Sequence, residues 1–65
     1  MNEFDLEAIQ DWLLNELTML GKYKKYVRDN EEGGTQRMRL YQQQIMKDHV
    51  LDQLRRVEAI KQVLP

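Results

Sequence analysis

The sequence predicts an all-α fold, an antiparallel two-helix hairpin that assembles as a four-helix-bundle homodimer. Three observations carry this expectation. Apolar residues recur at helical spacing over two long stretches. A glycine pair, Gly33-Gly34, separates those stretches. Each stretch holds more apolar surface than one neighbouring helix can cover.

The first helix is expected over about residues 3–29. Asn2 can cap its start through a side-chain oxygen. Glu3 and Asp5 place negative charge in its first turn, where the helix dipole favours it. Met1 and Leu6 occupy the positions of a hydrophobic staple. Leu6, Leu13, Leu20 and Val27 then recur every seven residues, with Trp12, Met19 and Tyr26 as a second row beside them. Ile9, Leu17 and Tyr23 fill the band between the rows, so the apolar face is wider than a two-stranded seam requires. Gly21 interrupts the pattern at a cost of up to about 1 kcal/mol relative to Ala. Because the face continues through Tyr23 and Val27, one helix is predicted there and not two.

A turn is expected over about residues 30–34, centred on Glu31 to Gly34, where Asn30 and the glycines give the backbone its freedom. Thr35 is the expected N-cap of a second helix over about residues 36–64. That helix carries Met38, Tyr41, Ile45, Met46, Val50, Leu54, Val57, Ile60 and Leu64 along a broad stripe, interrupted by Gln42, His49 and Gln53. So short a connection makes the helices antiparallel neighbours within a single domain, residues 1–65.

Size makes association the natural source of stability. A 65-residue chain buries only about 60% of the surface it exposes when unfolded. Ordering costs roughly 1.5 kcal/mol per residue, which nearly cancels the burial term of a lone small core. Cysteine is absent, which removes disulfides and thiolate metal sites. The residues expected in the core or the oligomer interface are Leu6, Ile9, Trp12, Leu13, Met19, Leu20, Tyr26, Ile45, Val50, Leu54, Val57 and Ile60. A homodimer is the expected partner state, with a tetramer as the larger alternative and another protein as a further partner.

Charge is balanced in total, with 32% charged residues and a net charge of −1. It is not balanced along the chain. Glu3, Asp5, Glu7, Asp11 and Glu16 fall in the first sixteen residues, while Lys22, Lys24, Lys25, Arg28, Arg37 and Arg39 gather around the turn. Arg55, Arg56 and Lys61 return beside the acidic start of the first helix. A head-to-tail dimer would set each basic turn end beside its partner's acidic end.

The chain holds few residues that suggest chemistry. Glu16 and His49 are nearly equidistant from the turn and are expected to meet as a buried polar pair, a common register device. A bundle metal site would need more ligands, including Glu-x-x-His on one helix, and that motif is absent. No cofactor, metal or catalytic residue is therefore expected, and the chain is not expected to be an enzyme. Gly33-Gly34-Thr35 lacks the phosphate-loop pattern and its lysine.

The functional expectation is a small protein–protein interaction module, a regulator or adaptor. The alternative is a nucleic-acid-binding hairpin dimer, with Lys22, Lys24, Lys25, Arg28, Arg37 and Arg39 on phosphates and Tyr23, Tyr26 and Tyr41 stacking on bases. The start, Met-Asn-Glu-Phe-Asp, lacks the basic and apolar segments of a secretory signal. With no long apolar run either, a cytoplasmic location without membrane contact is expected.

Overall fold

The computed structural model of the protein describes residues 3–64. Two helices pack against each other as a hairpin, α1 over Glu3–Asn30 and α2 over Gly33–Val63. The expected cap at Asn2 and the staple through Met1 lie outside the described residues. Gly21 does not break α1, which runs through it as one continuous helix.

The two helices meet along a seam with coiled-coil spacing. In α1, Leu6, Leu13, Leu20 and Val27 are buried, and Gln10, Leu17 and Lys24 between them are half-buried. In α2, Gln43, Val50 and Val57 are buried, with Leu40, Lys47, Leu54 and Lys61 half-buried in the same alternation. Steps of three and four residues average 3.5, so each helix keeps one narrow stripe towards the other. Leu6, Leu13, Leu20, Val50 and Val57 form the continuous core, and Leu17, Leu54 and Leu64 pack against it.

Polar side chains complete the seam. Gln43, only 3% exposed, donates from Nε2 to the Leu20 carbonyl at 3.1 Å. Its Oε1 has no partner among the described residues. Gln43 stands between the core cluster and Val27, so the apolar seam is interrupted at that level. At the open end Gln10 ties the helices together. Lys61 Nζ donates to Gln10 Oε1 at 3.1 Å, and Gln10 Nε2 donates to Glu58 at 3.2 Å. Arg56 pairs with Asp52 of its own helix at 3.2 Å.

The turn is tighter than the sequence suggests. The structure corrects the expected N-cap at Thr35. Between the two helices only Glu31 and Glu32 are non-helical, and α2 begins at Gly33 with Glu32 at its N-cap position. The reason is Gly33, whose φ of +61° lies in the left-handed region that a side chain disfavours. That one residue reverses the chain, so no longer loop is needed. Side chains also donate to carbonyls in the last turns of α1. Asn30 Nδ2 donates to the Tyr26 carbonyl at 2.8 Å, and Gln36 Nε2 reaches across from α2 to the Arg28 carbonyl at 3.4 Å.

The product is a rod, with extents of 51 × 14 × 12 Å and a radius of gyration of 15.0 Å. A compact chain of this length would have a radius of about 11 Å. No described helix is long and apolar enough to cross a membrane.

Candidate interaction face

The heptad that defines the seam also assigns the flanks. Ile9, Glu16 and Tyr23 recur every seven residues beside the buried row of α1, and Trp12, Met19 and Tyr26 recur one step further out. On α2, Arg39, Met46, Gln53 and Ile60 occupy the corresponding flank. Two observations show that these flanks share one face of the hairpin. Ile9, Trp12, Glu16, Met46, His49 and Gln53 line a common open groove of about 290 Å³, floored by Leu13 and Val50. Arg39 also donates to the Tyr23 hydroxyl at 3.4 Å across the same side.

This face holds the only tryptophan and two of the three tyrosines of the sequence, and they are exposed. Trp12 is 61% exposed although its neighbour Leu13 is 4% exposed. Ile9, Met19, Tyr23, Tyr26, Met46 and Ile60 are exposed as well. The opposite flank carries Glu7, Arg28, Arg37, Gln44 and Glu58 around exposed Leu14 and half-buried Leu51, with the exposed rings of Phe4 and Tyr41 one step further out.

The residues expected in the core or interface therefore divide. Leu6, Leu13, Leu20, Val50 and Val57 are buried between the helices, with Leu54 packed against them. Ile9, Trp12, Met19, Tyr26 and Ile60 lie on the exposed face. Ile45 belongs to neither set. It is exposed, and its heptad position faces away from α1. Gln43 is the core residue that sequence reasoning missed. Its seven-residue spacing to Val50 and Val57 was the available signal, masked by its polarity.

The expected buried pair is corrected. Glu16 and His49 line the same groove, but Glu16 is only half-buried and His49 is exposed. Both sit on the flank, outside the seam, so the hairpin itself leaves them open to solvent. No cluster of three or more His, Cys, Asp or Glu residues suited to a metal occurs among the described residues.

The six basic residues near the turn do not form one surface. Lys24 is half-buried in the seam. Arg39 lies on the apolar flank, where the Tyr23 hydroxyl and then the Glu31 carboxylate, at 3.4 Å, raise its pKa and hold its charge. Lys22 points outward, and Lys25, Arg28 and Arg37 fall on the opposite flank.

Comparison with protein-family models, curated proteins and solved structures finds no match.

Proposed function

We propose that the protein is a small non-catalytic interaction module, a regulator or adaptor that self-associates through its apolar face into a four-helix bundle. One observation carries this reading. Trp12, Tyr23 and Tyr26, with Met19 and Met46, share one exposed face and are not used between the helices. Large aromatics dominate interface energetics, and soluble monomers seldom leave broad apolar patches open. The polar flank and the outer helix surfaces stay free in such an assembly, and a client protein would be met there.

The test is solution mass by light scattering over a dilution series, with Trp12 fluorescence as the reporter. Trp12 is the only tryptophan, so its signal is unambiguous. The expected result is twice the chain mass at high concentration, with blue-shifted emission that reddens on dilution. Trp12→Ala should raise the dissociation constant about 30-fold or more, as loss of an interface anchor does. A helical monomer at every concentration, with Trp12 solvent-exposed throughout, would overturn self-association.

A further inference from the structure

We infer that the occupant of the apolar face is a second copy docked head to tail, with α1 antiparallel to the partner's α1 and each turn over the other's open end. This rests on the interaction-module reading above and adds the geometry of the contact.

Three observations favour it. The first is charge. The open half of the hairpin, residues 1–16 with 49–65, holds seven acidic and three basic residues. The turn half, residues 17–48, holds four acidic and seven basic residues. Head-to-tail docking sets unlike halves together, whereas turn-over-turn docking sets like halves together.

The second is area. A monomeric globular protein of 7.9 kDa is expected to expose about 4,400 Å². This chain exposes 5252 Å². The excess of about 850 Å² is close to the roughly 800 Å² that each partner contributes to an interface of ordinary size.

The third is the order of residues along the face. Its middle, at the level of residue 16 in α1, carries Glu16 and His49. A two-fold axis crossing there brings Trp12 to the level between the partner's Met19 and Tyr23, brings Tyr23 to the level of the partner's Ile9, and sets Tyr26 between the levels of the partner's Asp5 and Ile9. Trp12, Met19, Tyr23 and Ile9 then meet apolar side chains of the partner, and Glu16 and His49 of both copies gather at the centre. Sliding one copy by a heptad would set Glu16 against the partner's Ile9 or Tyr23. Turn-over-turn docking would set Trp12 over the partner's His49 and Gln53.

The absence of cysteine makes the arrangement readable by single-cysteine cross-linking. Glu32→Cys lies at the turn and Val63→Cys at the open end, both at exposed positions outside the seam. In the head-to-tail dimer, Val63 of one copy lies at the level of the partner's turn, while the two turns are separated by roughly 45 Å, the length of a helix. A short bismaleimide added to an equal mixture of the variants should join Glu32→Cys to Val63→Cys and leave Glu32→Cys alone uncoupled. Coupling of Glu32→Cys to itself, at dimer mass, would overturn the head-to-tail geometry while leaving self-association standing. Monomer mass with no coupling would overturn both.

Discussion

Leu13 and Trp12 are adjacent in sequence and belong to different worlds, one inside the hairpin seam and one on the open face. The seam is narrow and built from medium-sized side chains, with Gln10, Lys24, Gln43, Lys47 and Lys61 taking positions that leucines could fill. The face is broader and holds the tryptophan and two of the three tyrosines, Tyr23 and Tyr26. Size and hydrophobicity do not decide which side chains the hairpin buries. Position in the seven-residue repeat decides, because only a 3.5-residue stripe stays against a neighbouring helix. A hairpin so constructed holds a definite register with limited apolar burial, and leaves the face around Trp12 exposed.

Substitutions can break or sharpen this contrast. The largest effect is expected at Leu13→Ala, which removes a buried core side chain and should lower stability by about 3 kcal/mol, read as a lower denaturant midpoint for the helical signal. Trp12→Ala, one residue away, should leave that midpoint unchanged in dilute solution where the chain is monomeric. Equal losses from both would erase the distinction between seam and face. Gly33→Ala comes next, since a side chain at φ +61° should cost about 1–2 kcal/mol, seen as a drop in melting temperature.

Gln43→Leu tests whether the polar seam position limits stability. Its unpartnered Oε1 is buried, so an apolar replacement of similar size should raise stability by about 1 kcal/mol in the same denaturant titration. A loss instead would show that the bond to the Leu20 carbonyl outweighs the stranded oxygen. The smallest effect is expected at Gly21→Ala. Nothing lies within 4 Å of the added methyl group, and α1 should gain about 0.5–1 kcal/mol from helix propensity, detected as a higher melting temperature.

Much of the fold is legible in the sequence, and the reasons are local. The repeat of Leu6, Leu13, Leu20 and Val27 marks the buried edge of α1 directly. The glycine pair marks the reversal, although Thr35 looked the better helix start because hydroxyl caps are common and left-handed glycines are not visible from composition. The buried stripe of α2 is hard to read. Its heptad positions hold Gln36, Gln43, Lys47 and Lys61, and lysine stems cover a seam while their charged heads stay in water. The more apolar residues Met38, Tyr41, Ile45 and Met46 draw attention to the outer surface instead. Glu16 and His49 lie at similar distances from the turn and line one groove. Their burial depends on which flank they occupy, and two apolar rows side by side leave that choice open.

The elongated shape has a hydrodynamic consequence. A body about four times as long as it is wide meets more drag than a sphere of equal mass, so the single hairpin should migrate through a gel-filtration matrix like a heavier globular protein. Face-to-face pairing thickens the rod without lengthening it. The assembled form should therefore keep a maximum dimension near that of one hairpin, and its friction per unit mass should fall as its mass doubles.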